Sequence, residues 1–311
     1  MTILETILPV FIMIALGKFL SAKNLITDSG IASIKSLSVN VFLPVMAFDT
    51  LIHGNFSTDN LVLIIIEIVV LFLAFGIGFL FKRFFDEDIN GYVPYAMTTY
   101  EGGLFGWALI AILVGSRNLD TIVSMDIFSG IFCFTVMSTG LKFLAGQKMT
   151  RREITVSIVT NPLIISVVLG FIGAAFHLGE IIDNSSATGL YTKITNFFIQ
   201  PLSPMILICI GSSLVFDKKV LSKGLKLAAF RYSLQIVLGV LVLLLIAKTI
   251  GLTPILKVSL IMYFFCPTSF LLNMYANDKK ALEFTSGYLS LQILISLIIF
   301  SIVSIYAGKI L

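Results

Sequence analysis

Two stretches of the 311-residue sequence place groups that can hold a solute beside residues that break helices. In Tyr100-Glu101-Gly102-Gly103-Leu104-Phe105-Gly106-Trp107 one carboxyl stands among three glycines, and glycine both weakens a helix and accepts unusual backbone angles. In Phe265-Cys266-Pro267-Thr268-Ser269-Phe270, with Asn273 one turn on, the proline lacks an N–H and clashes with the preceding turn. Freed N–H groups at such breaks carry partial positive charge and suit an anion. The candidate substrate-binding residues are therefore Gly102, Gly103, Gly106, Pro267, Thr268, Ser269 and Asn273. A carboxylate is costly away from water, so Glu101 is the candidate for coupling to H+ or Na+. Glu67, in Ile-Ile-Ile-Glu-Ile-Val-Val, is a second coupling candidate, or is satisfied by a cation such as Arg231 or by a local water. The bland alternative for the breaks is packing: glycines let helices approach closely and Pro267 makes a simple kink.

These residues need helices around them, and composition says in what solvent. The chain is 58% hydrophobic and 12% charged, with a mean hydropathy of +1.04; a water-facing domain carries about 25% charged residues. An integral membrane protein with the lipid bilayer as its partner is expected. A net charge of only +4 argues against nucleic acid. Cys133, Cys209 and Cys266 lie in apolar stretches without metal-ligand or disulfide spacing and are expected to pack. The first residues lack the basic region and cleavage site of a signal peptide and are expected to form a first span. Apolar runs long enough to cross about 30 Å of hydrocarbon lie at 3–20, 31–52, 60–81, 92–114, 122–144, 154–176, 192–214, 226–247, 254–276 and 284–307.

Lys and Arg concentrate on the cytoplasmic side of alternating loops. Of 21 such residues, 16 fall on one side of the ten spans: Lys18, Lys23, Lys35, Lys82, Arg83, Lys142, Lys148, Arg151, Arg152, Lys218, Lys219, Lys223, Lys226, Arg231, Lys279 and Lys280. Both termini are thereby predicted on the non-cytoplasmic side of the cell membrane. An internal repeat also shows. Pro9 and Gly17 are eight apart in the first span, as are Pro162 and Gly170 in the sixth; Asn40 precedes Pro44 by four residues in the second, as Gln200 precedes Pro204 in the seventh. Repeat-related Asn40 and Gln200 join the substrate candidates, whereas Asn161 and Asn196 are read as amides that glue helices together. Five-helix halves, 1–150 and 151–311, must have opposite orientation because five is odd, which is a signature of secondary transporters.

At LPVFIMIALGKFL, VNVFLPVMAFDTL with Pro44, TNPLIISVVLGFIG with Asn161 and Pro162, and CPTSF around Pro267, the chain resembles the auxin efflux carrier family, with its bacterial malate or malonate permeases. The resemblance covers essentially the whole chain. It implies an all-α polytopic fold of ten transmembrane helices as a 5+5 inverted repeat with broken, crossing helices four and nine. The related architectures are those of sodium/proton antiporters and bile acid sodium symporters. Helices 1, 2, 6 and 7 would be a scaffold, and helices 3–5 and 8–10 a moving transport domain. Family members commonly carry Asn then Gly-x-x-Gly-x-Pro through helix four; here Glu101 stands where that Asn would, Gly103 and Gly106 take the glycines, and Ala108 replaces the proline.

The expected function is secondary transport of a small organic anion, a mono- or dicarboxylate such as malate, by alternating access at the crossing, without cofactor or metal and with a homodimer as a candidate assembly. The alternative is a transport-inactive sensor on the same fold. An enzyme is not expected: the two histidines, His53 and His177, lie near helix ends and no nucleophile, metal or P-loop motif is present. Asp49 and His53, spaced i,i+4, are read as interface polarity or a gate, and Asp126 as a wetted group near the outer start of span five.

Overall fold

Each apolar run becomes helical, and the breaks fall where glycine and proline stand. The computed structural model describes residues 3–54, 58–146, 150–214, 217–276 and 279–310; Lys148 and the Asn277-Asp278 pair lie outside the described residues. In chain order the helices are α1 (Ile3–Ala22), α2 (Asp28–Leu37), α3 (Leu43–Ile52), α4 (Thr58–Phe81), α5 (Glu87–Asn90), α6 (Val93–Thr98), α7 (Trp107–Val114), α8 (Asp120–Phe132) and α9 (Ser138–Leu144). There follow α10 (Arg151–Val159), α11 (Pro162–Ala175), α12 (Leu178–Asp183), α13 (Thr188–Ser213), α14 (Lys218–Thr249), α15 (Pro254–Phe264), α16 (Leu271–Met274) and α17 (Lys279–Ile310). Short π-turns at Ser38–Phe42, Gly102–Gly106 and Cys133–Met137 join α2 to α3, lead into α7 and join α8 to α9.

Six of these helical segments are long and apolar enough to cross a bilayer: 28–52, 61–84, 120–144, 188–213, 218–249 and 279–307. Shorter apolar helices occupy 8–22, 162–175 and 254–264. The predicted fourth span is instead two short helices, α6 and α7, on either side of the glycine-rich break. Outward-facing apolar rows, Leu61, Ile65, Val69 and Phe72 on α4 and Val237, Val240, Leu241 and Leu244 on α14, are surfaces that only lipid would solvate.

Two predicted boundaries shift for clear reasons. The sixth span does not run unbroken from 154. Thr150 and Glu153 form a reciprocal capping box, the Thr150 N–H donating to Glu153 Oε2 (2.7 Å) and the Glu153 N–H to Thr150 Oγ1 (3.3 Å), which starts the separate α10. Asn161 Oδ1 then accepts from the N–H groups of Leu163 (2.9 Å) and Ile164 (3.3 Å), so Pro162 sits at a fresh helix start where its missing N–H costs nothing. The eighth helix begins earlier than its apolar run. Asp217 caps it by accepting from the N–H of Lys219 at 2.7 Å, and its lysine-rich first turns are good helix formers. At 32 residues and 1.5 Å per residue it is about 48 Å long, enough to reach past the hydrocarbon.

The apolar helices pack in pairs. α1 packs on α13 and α11 on α3, so the first span pairs with the seventh as the sixth pairs with the second. α4 packs on α8 and α14 on α17, the third with the fifth as the eighth with the tenth, and α7 meets α15 between them. Gly17 and Gly170 sit at two of these interfaces, Gly17 against the backbone of Ile208 on α13 and Gly170 against Leu51 on α3. Gly211 completes the α1–α13 seam, where a Cβ would collide with the carbonyl of Ile14. Gly211→Leu should therefore cost about 1–3 kcal/mol, read as a lower Tm in detergent. Gly76→Ala, on α4 with open space around it, should stay within about 1 kcal/mol of the parent. Equal melting of the two variants would rule out close packing at this seam.

Candidate functional site

Breaking a helix leaves backbone groups without partners, and at membrane depth they must be satisfied by protein or by a water-lined cavity. The two breaks satisfy each other first. Between α6 and the Gly102–Gly106 turn, the Glu101 N–H donates to the Pro267 carbonyl at 2.7 Å. In return the Phe270 N–H donates to Glu101 Oε2 at 2.7 Å. Thr99 Oγ1 lies 3.1 Å from Thr268 Oγ1 and accepts from the Ser269 N–H at 3.3 Å. The two broken segments thus meet at Thr99–Glu101 and Pro267–Phe270.

The carbonyls left over are gathered by Arg231 of α14, which is 0% exposed. Its Nη1 donates to the Ala96 carbonyl (2.8 Å), its Nη2 to those of Thr99 (2.7 Å) and Cys266 (3.4 Å), and its guanidinium lies 5.3 Å from the centre of the Tyr100 ring. One cation therefore ties both broken spans to an unbroken neighbour. This corrects the expectation that Arg231 belongs to a basic loop, and equally the alternative that it pairs with Glu67. Gln235 bridges the Tyr100 hydroxyl (2.6 Å) and the Met97 carbonyl (3.4 Å), Tyr288 donates to Ala96 (2.8 Å), and Gln292 Oε1 accepts from the Thr268 N–H (3.0 Å). Sequence reasoning missed Arg231, Gln235, Tyr288 and Gln292. The available signal was their presence as polar groups within the apolar runs of α14 and α17.

A cavity of about 710 Å³ opens beside the crossing. Of the predicted residues, Asn40, Glu101, Gly102, Gly103, Ser269 and Asn273 line it. Asn40 reaches it from the Ser38–Phe42 turn, its Nδ2 donating to the Ser36 carbonyl at 2.9 Å. Asn273 Oδ1 accepts from Thr285 (2.7 Å) and Ser286 (3.1 Å) of α17. Gly106, Pro267 and Thr268 are not in the lining but build the crossing; at Gly106 a Cβ would press on the Cys266 sulfur at 2.7 Å. Gln200 is not brought to the cavity: α13 runs unbroken through Pro201 and Pro204, and the amide is exposed on it. The π-turn that offers Asn40 to the cavity has no counterpart in α13.

The lining adds two charges that the sequence did not single out as a site. Asp126 is 8% exposed rather than wetted; it faces the cavity, and its Oδ1 lies 2.8 Å from the Tyr263 hydroxyl. It fits only because Gly102 has no side chain, since a Cβ there would strike its carboxylate. Tyr263 also lies 3.1 Å from Glu67 Oε1, so Glu67, 0% exposed and outside the lining, reaches Asp126 through one phenol. The second charge is Lys35. Its Nζ donates to Ser213 Oγ at 3.1 Å and stands 5.3 Å from the Phe270 ring centre, and no carboxylate among the described residues is within ion-pair distance of it.

Elsewhere, Asp49 accepts from Tyr191 at 2.9 Å and His53 Nδ1 lies 2.8 Å from the Asp49 carbonyl, which makes this pair interface polarity between α3 and α13. No group of three or more metal-ligating side chains occurs among the described residues. The three cysteines are buried and unbridged. Replacing Arg231 by Met should strand the carbonyls of Thr99 and Cys266, that of Ala96 keeping the Tyr288 hydroxyl; charged hydrogen bonds contribute about 1.5–3 kcal/mol each, so a loss of about 3 kcal/mol or more is expected in thermal or denaturant unfolding. An Arg231→Met protein as stable as the parent would remove the clamp from the account.

A helical chain with apolar outer faces, two helix breaks that meet and a charged cavity beside them matches a known family along nearly its whole length. It is 24% identical over 216 residues to an uncharacterized transporter of Methanothermobacter thermautotrophicus (strain Delta H), covering 68% of each chain. The family described as membrane transport protein matches residues 2–306. The chain therefore belongs to this auxin efflux carrier-like membrane transport family and is a multi-pass membrane protein.

Proposed function

We propose that the protein is a secondary carrier of a small organic anion, a mono- or dicarboxylate of about the size of malate, exposed to the two sides of the cell membrane in turn. The observation that carries this reading is Lys35, a cation without a carboxylate partner among the described residues, on the wall of a cavity at the crossing. The Asn40 amide and Ser213 line the same cavity, and the hydroxyls of Ser36 and Ser269, which are acceptors within the protein, can donate to a carboxylate there. The Phe270 N–H is taken by Glu101, so the substrate's negative group is assigned to the Lys35 end.

Coupling follows from the opposite wall. Glu101 and Asp126 face the same space, and like charges sharing a partly desolvated cavity repel one another. An anion therefore enters most readily together with H+ or Na+ on that wall. The matched pairing of α1 with α13 and α11 with α3, and of α4 with α8 and α14 with α17, supports halves 1–150 and 151–311 in opposite orientation. It also supports a scaffold of spans 1, 2, 6 and 7 beside a transport domain of the remaining six. Both termini are placed on the non-cytoplasmic side, an asymmetry of basic residues that survives removing Arg231 from the count. Assembly as a homodimer is left to the same proposal.

The second reading, a ligand-binding sensor without flux, is favoured by one observation: the carboxylate of Glu101 already occupies an N–H at the break. Uptake of labelled malate and related acids into proteoliposomes under imposed proton or sodium gradients separates the two. Flux is expected in the parent, and Lys35→Met should lower it about tenfold or more, one lost charge-assisted contact being about 1.5–3 kcal/mol, with Lys35→Arg retaining part. Saturable binding without flux would favour the sensor, and full transport by Lys35→Met would sink the anion assignment.

A further inference from the structure

The described reading leaves open which ion is coupled and where it is held. The answer lies in counting hydrogens around Tyr263. Its phenol oxygen is 2.8 Å from Asp126 Oδ1 and 3.1 Å from Glu67 Oε1, yet a phenol has a single hydrogen to donate and an ionised carboxylate has none. With both acids ionised, one of these two contacts would set lone pair against lone pair in a site where an unmet polar group is costly. With one acid protonated both contacts are good. That acid donates to the phenol oxygen, and the phenol donates to the other carboxylate.

We propose that Glu67, Tyr263 and Asp126 form a proton-binding site, with the coupled ion a proton taken up from the cavity at Asp126. Further buried groups point the same way. Glu67 Oε2 has no partner, and the Trp107 indole N–H and Ser129 hydroxyl adjoin Asp126 without closing a hydrogen bond of their own. Trp107 is 2% and Ser129 1% exposed, so the site holds spare donors for a carboxylate that alternates between charged and neutral.

The groups that face the bridge are few. Glu67 looks onto Tyr263, Asp126 and Tyr100, while Asp126 looks onto Glu101, Tyr263, Cys133 and Cys266. Arg231, bound to three carbonyls, is the neighbouring cation, stacked on Tyr100. A single proton on the Glu67–Asp126 pair leaves one negative charge there. A metal cation fits less well, because the phenol oxygen stands between the carboxyls and keeps them from closing on one ion.

The transfer balances without any further reactant. With both carboxyls ionised, a hydronium in the cavity gives its proton to Asp126 and leaves as water; Asp126 gives that proton to the Tyr263 oxygen as Tyr263 gives its own hydrogen to Glu67, leaving Asp126 ionised, Tyr263 neutral and Glu67 protonated. The reverse sequence returns it to the cavity. Glu67, sealed from the cavity, then acts as the store, and Asp126 as the port. The inference rests on the carrier reading only for its biological use.

Infrared difference spectroscopy of the purified protein, which separates the carbonyl stretch of a protonated carboxyl from ionised bands, tests the site without a substrate. The parent at neutral pH is expected to show that band. Glu67→Gln and Asp126→Asn, both near-isosteric, should each shift or abolish it, whereas Glu101→Gln should keep it. A parent without the band, a band lost only in Glu101→Gln, or a band removed from the parent by sodium at fixed pH would each overturn the proposal. In proteoliposomes, proton-gradient-driven malate uptake should fall about tenfold in Glu67→Gln, equivalent to one pKa unit of lost coupling, while malate exchange persists. Absence of malate flux in the parent would count against the carrier reading and leave the spectra to judge the proton site.

Discussion

A helix interrupted at membrane depth strands carbonyls and N–H groups where water cannot reach them, and the architecture around the crossing answers that constraint. Two charges of opposite sign do most of it. The Arg231 guanidinium collects the carbonyls of Ala96, Thr99 and Cys266, and the Glu101 carboxylate takes the N–H of Phe270. Each charge meets the polar group of opposite partial sign, so the breaks themselves supply the solvation that makes the two charges tolerable. Remove either side of this arrangement and the other becomes a buried, unmatched group.

This constraint also explains where polar residues lie in otherwise apolar helices. Gln235 on α14 and Tyr288 and Gln292 on α17 turn inward to the broken spans, while the opposite faces of α14 present residues such as Val240 and Leu244 outward. The long unbroken helices thus act as a frame that supplies side chains to the short broken ones. The cavity lies where the frame stops covering the break, which is why its lining mixes backbone glycines with Lys35, Glu101 and Asp126. Missing side chains shape it as much as present ones, since Asp126 enters only over Gly102.

The glycines between the paired helices have an energetic meaning. Between helices in lipid there is little hydrophobic drive, so close approach through small residues contributes much of the association. Gly17 and Gly170 occupy matched seams, each letting its helix touch a partner from the other half of the chain. Prolines and amides that align between the two halves of the sequence take different places in the helices for physical reasons. Pro9 lies inside α1, whereas Pro162 opens α11 behind the Asn161 cap, and Gln200 stays on a continuous helix where Asn40 sits in a π-turn.

Periodicity and composition are local properties, so the helices, their lipid-facing character, the two break points and the candidacy of Glu101 and Glu67 were legible in the residues. Helix ends outside the hydrocarbon were not, because α10 and the start of α14 are held by Thr150, Glu153 and Asp217 rather than by an apolar run. The partners of each charge were also hidden. Arg231 and Lys35 read as loop cations and Asp126 as a wetted acid, because one-dimensional order cannot say which side chain 35 residues from Cys266, or 137 from Tyr263, will face it. Sequence alone determined that the membrane helices had to break and which residue types stood at the breaks. Tertiary structure alone decided which charges solvate them, since that depends on distances between chain-distant groups.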